Sequence, residues 1–150
     1  MEYRFKEIRE DNDLRQVDIA EKINVSRANY SVWESETVNI PLLKFNDYCN
    51  AFKLSMDYVS KNANTNKEQH IDYSKKITKQ EVGKRLSVLQ EEVGMKQKEI
   101  SKIIGVDEST YSKYKNGTNM IQTLMLKELS SKFGYSMDWI VGRSENKFIK

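Results

Sequence analysis

Apolar side chains recur at intervals of three and four residues along most of the chain. In the first half, for example, Ile19 and Ile23 are four residues apart, and Tyr30 and Trp33 are three apart. This spacing places side chains on one face of an α-helix, whereas a half-buried strand alternates with a period of two. Each apolar stripe is short, so each helix depends on its neighbours for stability. The pattern therefore predicts an all-α fold of short amphipathic helices.

The same pattern occurs twice, without an insertion or a deletion. A shift of 97 − 16 = 81 positions places Gln16 on Gln97, and it places Ser55 to Asp57 on Ser136 to Asp138. Two copies of a unit of roughly 60 residues explain this alignment, and a helical domain of that size can fold alone. We therefore predict two tandem five-helix domains.

Composition predicts where these domains begin and end. Residues 61–70 are polar and lack a core pattern, which is typical of a linker. The three large side chains within residues 71–77 either pack on a domain or form an interface, and simple packing is the preferred interpretation. Thr78 followed by Glu81 predicts a capping box at a helix start. We assign residues 1–61 to domain one, 62–77 to the linker, 78–143 to domain two and 144–150 to a tail.

Residues 106–117 are compatible with two structures. Their final Asn-Gly is a strong hairpin signal, but Asp107 can equally cap a helix that ends in a left-handed glycine. Tyr111 and Tyr114 share one helical face, as do their counterparts in the first copy, where Ser26 is the matching cap. The segment is therefore predicted to be a helix with Asn-Gly as its stop. Pro41 suits the first turn of the fourth helix. Ser55 and Ser136 suit the starts of the two fifth helices, where Asp57 and Asp138 are the helix-start acids two residues later.

Charge is distributed unevenly along the chain, whose formal net charge is +3. Residues 1–60 hold eight Lys and Arg against eleven Asp and Glu, a balance of −3. Residues 79–150 hold thirteen against nine, a balance of +4, so a polyanion is expected to meet the second half more readily. Cys49 is the single cysteine, and we find neither a signal-peptide pattern nor an apolar run of membrane-spanning length. We expect a soluble cytoplasmic protein in which Cys49 is a core residue.

Two helices joined by a short turn form a helix-turn-helix pattern in each copy. They run from Gln16 to Glu34 with the turn at residues 24–26, and from Gln97 to Gly117 with the turn at residues 105–107. Both segments resemble the phage-repressor/Cro family, also called XRE-type. The resemblance continues to Val59 and to Ile140, so it covers both copies.

The resemblance implies lambda-repressor-like DNA-binding domains whose third helix enters the major groove. A helix fits that groove, short polar side chains near its start reach base edges, and amides at helix starts meet phosphates. The implied DNA-contacting residues are Arg15, Gln16, Ser26, Arg27, Ala28, Asn29, Ser31 and Val32 in the first copy, and Lys96, Gln97, Lys98, Glu108, Ser109, Thr110, Ser112 and Lys113 in the second. Arg27 is suited to guanine, and Glu108 to the amine of cytosine.

The sequence departs from the family pattern in three places, one of which is the absence of Asn-Gly after the third helix of the first copy. Arg15 and Lys96 stand where the family often has Ser or Thr, so a helix cap is lost and a cation is gained. Asp107 and Glu108 put two carboxylates where a phosphate-lined groove would approach, which opposes binding unless the lysines around them outweigh it.

We interpret the chain as a DNA-binding transcriptional regulator, a repressor, that is active without a metal or cofactor. It contains no glycine-rich phosphate loop and no nucleophile-base pair, which argues against an enzyme. Its linker is long enough for one chain to cover two half-sites about 34 Å apart. In the alternative interpretation, one copy serves protein-protein interaction or homodimerisation, including the role of an antitoxin-type regulator.

Overall fold

A computed structural model of the chain describes residues 1–66 and 70–149; residues 67–69 of the predicted linker and Lys150 of the predicted tail lie outside them. Every regular element in this part is a helix. The first half contains α1 (Phe5–Asp11), α2 (Gln16–Lys22), α3 (Arg27–Glu34), α4 (Leu42–Phe52) and α5 (Met56–Val59). The second contains α6 (Lys79–Val93), α7 (Gln97–Ile103), α8 (Glu108–Lys115), α9 (Thr123–Phe133) and α10 (Met137–Ile140). The prediction of an all-α chain with two five-helix domains is confirmed.

The predicted caps determine where α3, α5, α8 and α10 begin. The Ser26 hydroxyl accepts from the Asn29 amide at 3.1 Å, and the Asp107 carboxylate accepts from the Thr110 amide at 2.7 Å. Ser55 and Ser136 cap α5 and α10 in the same way. Pro41 differs slightly from its prediction, because it occupies the N-cap of α4 instead of the first helical turn.

The end of α8 confirms that Asn116 and Gly117 stop a helix. Asn116 is the C-cap, and Gly117 has a left-handed φ of 79°. Glu36, its counterpart in the first half, adopts a φ of 62° with a side chain attached. Glycine at this turn therefore relieves strain but is not obligatory.

The first helix of the second half is about two turns longer than that of the first half. The Thr78 hydroxyl caps α6 by accepting from the Glu81 amide at 3.2 Å. Glu81 does not complete the predicted capping box among the described residues; its carboxylate pairs with Lys75 at 2.9 Å instead. The additional turns bring Gly83 against the end of α8.

Replacing Gly83 by alanine is expected to destabilise the protein by about 1–3 kcal/mol, as overpacking does. The new Cβ would lie 2.8 Å from the carbonyl oxygen of Tyr114 and closer still to that of Lys115, both of which are backbone atoms. In an unobstructed helix the same change would stabilise by about 0.5–1 kcal/mol. Urea denaturation measures the difference, with exposed Lys84→Ala as the control on the same helix. A Gly83→Ala variant as stable as the parent would contradict this packing.

One continuous apolar core runs through both halves. In the first half it contains an aromatic cluster in which Phe5 meets Phe45 and Tyr48 edge to face, with ring centroids 6.1 and 5.0 Å apart. Cys49 is fully buried beside them, as predicted, and burial raises the pKa of its thiol. The halves are thus packed parts of one body.

Helices α5 and α10 meet at the centre of the molecule through reciprocal contacts. The Met56 amide donates to the Asp138 carboxylate at 3.0 Å, and the Met137 amide donates to the Asp57 carboxylate at 2.7 Å. The two contacts correspond to each other, because the 81-residue shift places Met56 on Met137 and Asp57 on Asp138. Both aspartates lie at helix starts, as predicted, but each carboxylate accepts from the start of the opposite helix.

Arg143, which is fully buried, adds a charge to this junction. Its guanidinium donates to the Asp138 carboxylate at 2.5 Å and, in the first half, to the side-chain oxygen of Asn50 at 2.9 Å. The position of Arg143 corresponds to Asn62 in the first half, whose amide donates to the Lys127 carbonyl at 3.1 Å. In the part of the chain that the structure describes, Asp138 therefore has a cationic partner, whereas the donors to Asp57 are neutral.

The segment before Thr78 also packs on the protein. The Asn46 side-chain amide donates to the Lys75 carbonyl at 2.8 Å, and the Asp72 amide donates to the Arg143 carbonyl at 2.8 Å. Ile77 is buried. The preferred interpretation of residues 71–77, simple packing, agrees with these contacts, while the predicted domain boundaries stay predictions.

Stability is expected to fall as pH rises through the range in which Asp57 ionises. Burial, reinforced by the neighbouring Asp138 carboxylate, raises the pKa of Asp57 above the value of about 3.9 that an unfolded aspartate has. Between these two values the folded state holds a proton that the unfolded state has lost, so raising the pH favours unfolding. Urea denaturation from pH 4 upward should show the parent losing stability relative to Asp57→Asn. A constant difference between the two proteins would contradict this.

Candidate nucleic-acid interface

The orientation of α3 and α8 is determined by their aromatic side chains. Tyr30 and Tyr111 are completely buried, and Trp33 and Tyr114 are nearly so. Each helix packs against the one before it, α3 on α2 and α8 on α7. The side chains on the opposite face of α3 and α8 are therefore directed outward, which forms a helix-turn-helix unit in each half.

The outward start of α3 presents a cation among small side chains. Arg27, Ala28 and Asn29 are exposed, and Ser31 and Val32 are partly exposed. Within the described residues, the Arg27 guanidinium has no hydrogen bond or ion pair. Its planar set of donors is consequently free to form two hydrogen bonds with a ligand such as a guanine edge.

Gln16, at the start of α2, is held by a polar network that sequence analysis missed. Its side-chain amide donates to the Glu34 carboxylate at 2.8 Å, and the Arg9 guanidinium donates to the same carboxylate at 2.9 Å. Glu34 is buried, although its charge suggested a surface position. The available signal was its spacing, because Glu34 follows the core residue Tyr30 by one helical turn.

The described residues of the second half do not form this network. Gln90 and Lys115 occupy the positions of Arg9 and Glu34, and the Lys115 ammonium lies 5.7 Å from the ring centre of Tyr111. Gln97 donates to the backbone carbonyl of Glu108 at 3.3 Å. The two helix-turn-helix units therefore share a framework but hold their leading glutamines differently.

The outward start of α8 carries both signs of charge. Glu108, Ser109 and Lys113 are exposed, and Thr110 and Ser112 are partly buried. The Asp107 carboxylate is occupied as the helix cap, accepting from the Thr110 amide and, at 3.0 Å, from the Ser109 hydroxyl. These hydrogen bonds lower the pKa of Asp107. The carboxylate of Glu108 has no partner among the described residues.

The cations at the starts of α2 and α7 differ between the halves. Arg15 forms an exposed ion pair with Asp18 at 3.0 Å, whereas Lys96 and Lys98 are exposed without an ion pair in the part of the chain that the structure describes. The lost caps are partly compensated from the third helical residue, since Asp18 accepts from the Arg15 amide at 2.8 Å and Glu99 from the Lys96 amide at 3.0 Å. The second half thus offers more unpaired positive charge.

Comparison with known families agrees with this geometry. A helix-turn-helix domain family matches residues 3–65, and a helix-turn-helix family matches residues 86–140. The fold and the site thus define a helix-turn-helix protein of the DNA-binding regulator class. Both halves belong to XRE-type families, so the chain consists of two tandem XRE-type helix-turn-helix domains. No curated protein and no solved structure shows a significant match to the chain.

Among the described residues, no helix combines the length and the apolar character that crossing a membrane requires.

Proposed function

We propose that the chain is a sequence-specific transcriptional regulator that inserts α3 and α8 into the DNA major groove. This proposal rests on the contrast between the two faces of α3 and α8, of which one is buried and the other exposed. Their inner faces are completely packed, while residues 27–29 on α3 and residues 108, 109 and 113 on α8 are exposed. A helix whose inner face is packed and whose outer face is not covered by the described part of the chain is suited to contact base edges.

Phosphate contacts would come from the helices that precede these. Gln16 and Gln97 lie at the starts of α2 and α7, next to Arg15 and Lys96. Side-chain amides, cations and backbone amides at helix starts are the groups that usually bind phosphates and position a protein on the duplex. In half one, the Glu34 carboxylate would fix the orientation of Gln16 before DNA arrives.

The regulator acts as a repressor in this proposal, by occupying an operator that polymerase would otherwise use. Two helix-turn-helix domains bound side by side would cover the operator, so occlusion of DNA is the simplest mode of action. Residues Ser26 and Asp107 serve mainly as caps, and Ser31, Val32, Thr110 and Ser112 would line the helix edges along the groove.

Replacing Arg27 by alanine is expected to lower affinity for selected DNA about 5- to 150-fold and to relax base preference at one position, because a bidentate base contact is lost. Lys113→Ala should also weaken binding, and if its contact is a phosphate the slope of log affinity against log salt falls by about one. Fluorescence anisotropy at two salt concentrations measures both effects. Lys132→Ala, an exposed cation at the end of α9, is the matched control.

A lack of detectable binding at low salt would disprove the regulator proposal, as would unchanged affinity in both the Arg27→Ala and Lys113→Ala variants. Glu108 favours a second candidate function, because an exposed and unpaired carboxylate at this position would suit a basic protein surface. In that case half two would serve protein interaction, and neutralising the acid with Glu108→Gln would weaken a protein complex instead of altering base preference.

A further inference from the structure

We propose that one chain, as a monomer, binds a DNA operator made of two unlike half-sites at fixed spacing. This inference rests on the proposed function and specifies its DNA ligand. It follows from two properties of the molecule, which are a symmetric junction between the halves and an asymmetric pair of exposed helix faces.

The junction has the form of an interface in a two-fold dimer. In such an interface, residue i contacts residue j of the partner while residue j contacts residue i. The amide of Met56 with the carboxylate of Asp138, and the amide of Met137 with the carboxylate of Asp57, satisfy this relation. The junction of α5 and α10 therefore has the local form of an approximate two-fold axis, and we infer that the operation exchanging the two halves also exchanges α3 and α8.

This junction is internal. Asp57 and Asp138 are completely buried, and so are Met56, Val59, Met137 and Ile140 on the same two helices. A further buried contact joins the halves where the Thr123 hydroxyl donates to the Ile40 carbonyl at 2.7 Å. The fifth helix of each half thus packs against the fifth helix of the other half in the same chain. A second chain is therefore not needed to pair two helix-turn-helix units.

The exposed helix faces break the symmetry. Where α3 has Arg27, Ala28 and Val32, the equivalent positions of α8 have Glu108, Ser109 and Lys113. An arginine pairs with the two acceptors of guanine, whereas a glutamate accepts from the amine of cytosine. A palindromic operator has the same base at equivalent positions of its two half-sites. At the positions that face Arg27 and Glu108, this chain favours guanine in one half-site and cytosine in the other. The operator is consequently bound in a single orientation.

Selection of binding sites from random duplexes with the full chain tests this inference. The expected site has two unlike halves, and sedimentation of the complex gives one chain per duplex. Inserting five base pairs between the halves rotates one of them by half a helical turn, so a rigid chain should lose the contacts of one half. The affinity should then equal that for a single half-site, whereas a flexibly tethered pair of domains would tolerate the insertion.

A substitution makes the test specific to the exposed faces. Glu108→Arg places arginine at both equivalent positions, so the base selected in the second half-site should change from cytosine to guanine, with a preference of about 5- to 150-fold. Exposed Glu128→Arg on α9 changes the charge equally and should leave the selected site unchanged.

A palindromic selected site, two chains per site, or full tolerance of the five-base-pair insertion would each overturn the inference and leave the proposed function intact. An unchanged second half-site in Glu108→Arg would overturn it too. Absence of binding to any duplex at low salt is a different result, since it removes the proposed function and this inference together.

Discussion

Replacing Asp138 by asparagine is expected to reduce the free energy of unfolding by about 3–5 kcal/mol, the usual loss when one partner of a buried ion pair is removed. Asp138 accepts from two backbone amides, those of Met56 and Asp57, and from the guanidinium of Arg143. Asparagine keeps one acceptor oxygen but directs an NH₂ group at these donors. It also leaves the fully buried Arg143 without a counter-charge. Urea denaturation measures the loss.

The matched control is the pseudo-symmetric change Asp57→Asn. Asp57 accepts from the Met137 amide and the Ser136 hydroxyl, and no cation among the described residues pairs with it. Asparagine can accept from the amide, and the hydroxyl can reorient to accept from its NH₂ group. We therefore expect a change within about 1 kcal/mol near neutral pH, close to the net contribution of one neutral hydrogen bond. Equal losses in the two variants would show that Arg143 does not distinguish the two carboxylates.

The positions of the helices were predictable because they depend on local signals. The spacing of apolar residues identified the first four helices of the repeated unit, and Ser55 and Ser136 identified the fifth. Ser26, Asp107 and Gly117 marked helix ends for reasons that act within a few residues. Repetition strengthened each assignment, since a cap or a stop in one copy could be compared with its counterpart. The hairpin alternative at Asn116 was rejected in this way.

The junction between the halves was not predictable in the same way. Asp57 and Asp138 look like ordinary acids of a first helical turn, and the sequence does not indicate that each one accepts from the opposite helix. Arg143 lies just after the matched region, where a charged residue suggests solvent. Burial of charge depends on contacts between distant segments, which neither periodicity nor local propensity records.

At the candidate DNA interface, the sequence predicted which positions face outward but not which hydrogen-bond partners hold their side chains. It proposed Gln16 and Gln97 as equivalent, yet the first is held by a buried carboxylate and the second by a backbone carbonyl. Asp107 is engaged as the helix cap that the sequence predicted, so it is not a free charge. The carboxylate without a partner among the described residues is that of Glu108, so in the proposed complex base preference in half two would depend chiefly on this residue and Lys113.

Replacing Arg143 by methionine is the second change with a large expected effect, a loss of about 3–5 kcal/mol. The guanidinium donates to Asp138, to the side chain of Asn50 and, at 3.2 Å, to the carbonyl of Leu54, so it joins the second half to the first. Methionine is similar in length and fills much of the same space. It leaves the Asp138 carboxylate buried with backbone donors but no cation. Urea denaturation of the full chain measures the change.

The double variant Asp138→Asn, Arg143→Met separates loss of the ion pair from loss of packing. Removing both charges leaves neither one buried alone, and such replacements are often close to neutral. The double variant should therefore be at least as stable as either single variant, and much more stable than the sum of the two single losses predicts. Strict additivity would mean that Asp138 and Arg143 stabilise the junction independently, and the halves would then be held together chiefly by the apolar faces of α5 and α10.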